Sequence, residues 1–172
     1  MSPETTIIET PRLLLTPLQV ADAPAMTGVL ADRALYEFTG GEPPTVEQLA
    51  DRYRAQVAGS PRVSEVWHNW IVRIAGSGVA VGFVQATVTG DAADVAWVIG
   101  VAWQRQGIAR EASVAMCEWL GHSGVGRITA HTHPLHAGSA AVAEACGLRR
   151  TNVIDDDGEV VWASLEEPRL AP

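Results

Sequence analysis

The residues Gln104, Arg105, Gln106, Gly107, Ile108, Ala109 and Arg110 concentrate the chemistry that this chain shows most openly. They lie where an apolar, strand-like segment (95–101) passes into an amphipathic, helix-like one (108–120). A strand that feeds a glycine-containing turn into a helix N-terminus leaves several backbone N–H groups unpaired and aimed outward. With the helix dipole behind them, these donors form an anion site suited to a phosphate or pyrophosphate. The alternative is a tight strand-to-helix turn that holds no ligand. Arg105 and Arg110 flank the glycine and can add charge-assisted hydrogen bonds. All 12 basic residues are arginines, which excludes a Schiff-base lysine and the lysine of a nucleotide-binding phosphate loop.

Asp94 is the one acid within an apolar strand, flanked by Ala93, Val95, Ala96 and Trp97. An acid in such surroundings points to a perturbed pKa and to proton transfer. The competing reading is that Asp94 begins the strand after the Gly90-Asp91 turn and sits in solvent. His131, His133 and His136 fall close together, and strand residues two apart share a face, a pattern compatible with a metal site. No cysteine accompanies them, and polar strand-end residues are the simpler reading, so no metal is expected. Asp155-Asp156-Asp157-Gly158 reads as a solvated hairpin turn, with a rim for a cationic substrate as the lesser alternative.

These groups need a frame that sets strand ends and helix starts side by side. Residues 12–17 read as a strand, followed by helical stretches at 20–32 and 46–57 around an irregular, Gly- and Pro-rich segment at 36–44. From Trp67 the pattern turns β-like: 70–75, a Gly76-Ser77-Gly78 turn, 80–88, a Gly90-Asp91 turn, then 93–101. Two short loops between strands predict an antiparallel meander. After Gly107, the residues Ile108, Ala112, Ala115, Met116, Trp119 and Leu120 form an apolar stripe at helical spacing, with Gly121 as its expected stop. A strand at 127–132, a helix at 137–146 stopped by Gly147, and a hairpin with arms 148–153 and 159–165 complete the pattern. The order β-αα-βββ-α-β-α-ββ predicts a three-layer α/β domain with helices on both faces of a mixed, mostly antiparallel sheet.

At 172 residues the chain suits one well-buried core and is short for two ordinary domains, so residues 1–172 are read as one unit. Hydrophobic content of 47% with 19% charged residues fits a globular protein. The net charge of −8 argues against a nucleic-acid-binding surface and is compatible with a cationic substrate. There is no leader-like N-terminal pattern and no apolar run of membrane-spanning length, so a cytoplasmic protein without a membrane partner is expected. Cys117 and Cys146 both lie in helix-like apolar surroundings and read as reduced thiols. The six tryptophans are mostly core by this reading, with Trp67, Trp70 and Trp103 as those that fit either core or cleft.

The element order, together with the turn, resembles the GNAT superfamily of N-acetyltransferases over nearly the whole chain. Gln104, Gly107 and Ala109 fill the superfamily pattern of Gln or Arg, two residues, Gly, one residue, Gly or Ala. About thirty residues on, His133-Pro134-Leu135-His136-Ala137-Gly138-Ser139 and Val142-Ala143-Glu144-Ala145-Cys146-Gly147-Leu148 resemble a paired segment of the RimJ/RimL-like branch, which acetylates ribosomal protein N-termini. Thr10-Pro11-Arg12-Leu13 and the segment 93–97 point to the same branch. His136 stands in place of the motif asparagine, and Leu148 in place of the usual phenylalanine.

The resemblance implies acetyl-coenzyme A as co-substrate, held in a cleft where two central strands splay apart. Its pyrophosphate would rest on the backbone N–H groups of Arg105, Gln106, Gly107, Ile108, Ala109 and Arg110, with Gly107 keeping space for the phosphate. Val98, Ile99 and Val101 would pair with the pantetheine arm as an added strand does, and His136 would replace an asparagine contact to that arm. The amine must be neutral when it attacks the thioester. Asp94, at a position where the branch usually has Glu, would be the base. Ser139, the motif serine, would protonate or hydrogen-bond the departing thiolate; its other reading is a first-turn helix cap. The tyrosine that many relatives use is missing, since Tyr36 and Tyr53 lie far upstream. The acceptor would be a primary amine: a protein N-terminus, or a small amine such as an amino acid, polyamine or aminoglycoside. Relatives are commonly homodimers, and a homodimer is compatible with this sequence. The rival readings are a non-catalytic acyl-coenzyme A-binding module and a nucleotide-binding protein that uses the same turn.

Overall fold

The computed structural model describes residues 4–165. Its sheet has eight strands in the order β1-β2-β3-β4-β5-β6-β8-β7. The strands are β1 (Ile8–Glu9), β2 (Leu13–Pro17), β3 (Glu65–Ile74), β4 (Ala80–Thr89), β5 (Ala92–Ile99), β6 (Arg127–Thr132), β7 (Leu148–Ile154) and β8 (Val160–Ser164). Between β2 and β3 come α1 (Ala23–Val29) and α2 (Val46–Ala58); α3 (Ile108–His122) links β5 to β6, and α4 (Ala137–Ala145) links β6 to β7. The expected order therefore holds for every long element, with the two-residue edge strand β1 as an addition.

Alternation along the strands assigns the two faces. On one face α1 and α2 bury Met26, Leu30, Leu49 and Tyr53 against Ile71. On the other, α3 and α4 bury Met116, Leu120 and Ala143 against Leu15, Trp70, Val84, Val95 and Ile99. Trp70 belongs wholly to this core: it is fully buried, and its indole donates to the Thr6 carbonyl at 2.8 Å. Trp67 is half-buried with its indole on Glu65 Oε1, and Trp103 packs on the rim of the main core. Cys117 and Cys146 are free thiols, and a hydrogen bond between them joins α3 to the end of α4. No described helix is long and apolar enough to cross a membrane.

β3 starts at Glu65, five residues before the expected strand, and three further boundaries differ for a local reason. The helix expected over 20–32 breaks into a 3-10 turn, Val20–Asp22, and then α1, which has Pro24 in its first turn. A proline there lacks the N–H that a continuous helix would need. The strand expected to reach Val101 stops at Ile99, because Gly100 turns against α1; a Cβ on Gly100 would lie 2.9 Å from Val29 Cγ1. Gly121 does not stop α3, which runs to His122 and closes through the Val125 N–H on the Leu120 carbonyl at 3.1 Å.

One joint in the sheet matters most for function. β4 and β5 pair along their whole length, from Gly82 with Ile99 to Thr89 with Ala92. β5 and β6 run parallel and pair only from Ala92 with Arg127 to Val95 with Ala130. Beyond Val95 the two strands diverge, and residues 96–99 lose their neighbour on that side.

Candidate functional site

The divergence of β5 from β6 opens a cleft whose walls follow from the ladder. Gly100 donates to the Val81 carbonyl at 2.9 Å, which fixes the phase of the β4–β5 hydrogen bonds. In an antiparallel ladder alternate residues point their amide groups to the same neighbour. Val98 is thus bonded to β4, whereas Trp97 and Ile99 turn their N–H and C=O groups toward the gap. This corrects the expected backbone contacts. Ile99 presents its backbone to the gap, and so does Trp97, which the sequence pattern did not single out. Val98 contributes only a side chain on the α1/α2 face, and Val101 lies outside the strand in the 3-10 turn Val101–Trp103. Gln104 closes the strand end, its Nε2 donating to the Ile99 carbonyl at 2.9 Å.

The turn that follows is shaped by two left-handed residues, Arg105 at φ 60° and Gly107 at φ 77°. A glycine adopts this conformation without strain. A Cβ at 107 would in addition stand 3.3 Å from an Arg12 guanidinium nitrogen, a neighbour the sequence did not reveal. No side chain caps α3, and its first backbone bond is Glu111 N–H to the Gly107 carbonyl at 3.0 Å. The N–H groups of Ile108, Ala109 and Arg110 thus form the open end of a fifteen-residue helix. Exposed Arg105, Gln106 and Arg110 stand around it.

The start of β2 braces this turn. Glu111 accepts from Thr10 Oγ1 at 2.6 Å, from the Arg12 backbone N–H at 3.0 Å and from Arg12 Nε at 2.6 Å. Arg12 also donates to the Gln106 carbonyl at 3.0 Å. Desolvation pushes the Glu111 carboxyl up, but the hydrogen bonds from Thr10 and Arg12 outweigh it and hold the group below its ordinary range.

On the far wall, His136 is the N-cap of α4, its Nδ1 accepting from the Ser139 N–H at 2.9 Å. The capping role expected for Ser139 therefore belongs to His136, and Ser139 is the third residue of the helix, half-buried. The Phe38 ring, from the α1–α2 connection, lies 4.7 Å from the His136 ring and 5.0 Å from the His133 ring. This contact brings the irregular segment 36–44 to the cleft wall.

The α1/α2 face of the sheet carries the polar groups. Asp94 sits there on β5, with 54% of its side chain exposed, accepting from Thr129 Oγ1 at 3.3 Å. Partial burial against the sheet pushes its carboxyl up, opposed by His131 and Thr129. His131 Nε2 lies 3.6 Å from Asp94 Oδ1, and His131 Nδ1 lies 2.6 Å from Asp155 Oδ2. Residues 156–158 form the exposed hairpin turn expected, but Asp155 at its start is drawn in: its side chain is 22% exposed, and its Oδ1 accepts from the Asp157 and Glu159 N–H groups at 3.0 and 2.8 Å. The Glu159 N–H first, His131 second and the Asp157 N–H after them hold the carboxyl below its ordinary range. His131, Asp155 and Glu159 can each bring a donor atom within 4.8 Å of the others, a different trio from the three histidines. With Asp155 already engaged by two amides, this cluster carries no metal assignment.

Neither tyrosine faces the cleft as a free acid. The Tyr36 hydroxyl donates to the Leu30 carbonyl at 2.9 Å. Burial first, and Asp22 next, push Tyr53 up to about 12, and its hydroxyl lacks a partner among the described residues. It borders a cavity of about 80 Å³ between α2 and the sheet, lined also by Leu49, Asn69, Phe83 and Gln85.

The comparisons agree with this architecture. The chain resembles a GNAT-family acetyltransferase from Bacillus anthracis with a TM-score of 0.76 at 22% identity, over 93% of this chain and 98% of that one. It resembles RimL, a ribosomal L7/L12 alpha-N-protein acetyltransferase solved with coenzyme A, with a TM-score of 0.78 at 12% identity over 92% and 97% of the two chains. The aminoglycoside acetyltransferase AAC(6')-Ib, solved with coenzyme A, gives 0.73 at 18% identity over 88% and 94%. No curated protein matches the chain. These likenesses speak for the fold. A family model described as an acetyltransferase (GNAT) domain matches residues 12–149, well over half of the sequence, and on that match the chain belongs to the GNAT acetyltransferase family.

Proposed function

We propose that this protein transfers the acetyl group of acetyl-coenzyme A to a primary amine by direct attack in a ternary complex. One observation carries the reading: the gap between β5 and β6 leads from the uncapped N-terminus of α3 to the last strand pair, Val95 with Ala130. From Ile99 to Val95 is about 13 Å at a strand rise of ~3.3 Å per residue. The pyrophosphate rests on the N–H groups of residues 105–110, with Arg105 and Arg110 beside it. The pantetheine arm follows the Ile99 N–H and the Trp97 amide, as an added strand would. Its thioester then lies near Val95, where Asp94 faces the opposite side of the sheet. RimL and AAC(6')-Ib, which share the fold, are both known with coenzyme A bound.

The amine comes from the α1/α2 face. Asp94 meets it and removes its proton, and Ser139 serves the departing thiolate. A protein N-terminus is the preferred acceptor, supported by the RimJ/RimL-like segment at 133–148 and the likeness to RimL. An aminoglycoside-type amine stands second, supported by the likeness to AAC(6')-Ib. Calorimetric titration with acetyl-coenzyme A, followed by thiol release with a panel of peptides, amino acids, polyamines and aminoglycosides, tests this. Binding with turnover on one class is the expected result. Binding without turnover on any amine favours a non-catalytic module, and stabilisation by ATP but not acetyl-coenzyme A overturns the reading.

A further inference from the structure

The sheet face that presents Asp94 holds a second ionisable group better placed for proton transfer. Val95 with Ala130 is the last β5–β6 pair, so His131 is the first β6 residue at the fork itself, two residues beyond Asp94's partner Thr129 and on the same face. Ala130 and Thr132 are buried on the α3/α4 side, and His131 faces the other way with Asp94. Two N–H donors fix Asp155 Oδ1, and Asp155 Oδ2 meets His131 Nδ1 at 2.6 Å. An ionised carboxylate only accepts, so the proton shared with Asp155 sits on Nδ1, and Nε2 is the ring nitrogen that can take up another. That nitrogen lies 3.6 Å from Asp94 Oδ1, too far for a good hydrogen bond. A third atom set off that line reaches both at about 2.8 Å.

We infer that an acceptor ammonium seats between Asp94 Oδ1 and His131 Nε2, with His131 as the base and Asp155 as the residue that positions it. This deepens the acetyltransferase reading and rests on it, moving the proton's destination from Asp94 to His131. Asp94 anchors the cation, and the acceptor is recognised while charged. The ammonium gives one proton to Nε2, and the freed lone pair forms the N–C bond at the thioester carbonyl. The C–S bond then breaks with its electron pair on sulfur, and the second proton of the attacking nitrogen passes by way of Ser139 to the thiolate, leaving a neutral amide and a thiol. The imidazolium left between two carboxylates returns its proton to water, so one proton is released per acetyl group moved. Glu159, on the hairpin beside Asp155, adds a third negative group that favours a cation here.

The test uses the whole chain, acetyl-coenzyme A, and whichever amine of the peptide and aminoglycoside panel turns over. His131→Ala is expected to lower kcat about 10²- to 10³-fold, in the range of general-base loss, with acetyl-coenzyme A affinity within twofold of the parent. Free imidazole added to His131→Ala is expected to restore part of the rate, which a merely structural histidine would not show. Asp155→Asn is expected to lower kcat about tenfold with little change in acceptor KM, and Asp155→Glu to recover some of it. His131→Ala that turns over at the parent rate, or a folded His131→Ala that imidazole leaves unmoved, overturns the assignment while the acetyltransferase reading stands. A parent that binds acetyl-coenzyme A yet acetylates none of the amines overturns both.

Discussion

The two walls of the cleft are made of different materials. The turn at 104–110 offers backbone N–H groups from one continuous stretch, braced by Arg12 and Glu111. The amine face offers side chains from three separate elements: Asp94 on β5, His131 on β6 and Asp155 in the β7–β8 hairpin. A site built of backbone donors tolerates many side-chain changes but few changes of conformation. A site built of side chains behaves the opposite way, since its frame is an ordinary sheet that accepts many residues while its chemistry depends on atoms at the tips. Binding and chemistry should therefore fail separately.

The largest effect belongs on the amine face. Asp94→Asn removes the carboxylate that seats the amine and is expected to lower kcat/KM about 30- to 10³-fold, the range for a lost charge partner, while calorimetry finds acetyl-coenzyme A bound as before. A joint loss of both would erase the distinction between the walls. The parent's rate should also fall on acidification, because a carboxylate whose pKa is raised above 3.8 protonates earlier than a free aspartate.

Next comes Gly107→Val on the opposite wall. A β-branched residue at φ 77° carries a left-handed penalty of roughly 1–2 kcal/mol, and its Cβ stands close to Arg12. Acetyl-coenzyme A affinity should drop at least tenfold, with kcat at saturating cofactor much less affected. An unchanged dissociation constant would remove the turn from the site.

Smaller is Glu111→Ala, which releases Thr10 and Arg12 together. Arg12 is half-exposed, so the ion pair itself is worth at most about 1 kcal/mol, and a fall of a few degrees in Tm is expected. Because the folded-state pKa of Glu111 is lowered, its contribution is present above the ordinary value of 4.5 and lost as pH falls through the folded value. The parent and Glu111→Ala should therefore converge in Tm in acid and separate at neutral pH. Smallest is Arg105→Ala, expected to weaken acetyl-coenzyme A binding a few-fold, with most of the difference gone in high salt.

The same contrast explains what the sequence disclosed. A turn made of neighbours is written in order, so Gln104, Gly107 and Ala109 could be read directly, and so could the strand and helix on either side. The three-layer order followed from periodicity and turn residues. Pairing phase was not legible: that Trp97 rather than Val98 opens to the gap depends on which partner Gly100 finds on β4. Nor was the Asp94–His131–Asp155 row, whose members lie 24 to 61 positions apart and meet only because β6 pairs with both β5 and β8. His131 looked like a polar strand end and Asp155 like a turn residue. Each description was true locally and incomplete without the other. That Arg12 braces the turn was hidden for a similar reason, since its partner Glu111 is 99 residues away.

The short β5–β6 ladder has a further consequence. Strands β1 to β5 precede strands β6 to β8 in sequence, and between the described strands those two blocks meet over four residue pairs. The sheet thus has a seam that coincides with the cleft. A ligand that pairs with Trp97 and Ile99 acts as a stitch across that seam. Amide exchange at the ends of β5 and β6 would slow when it is in place, and the two blocks would melt as one.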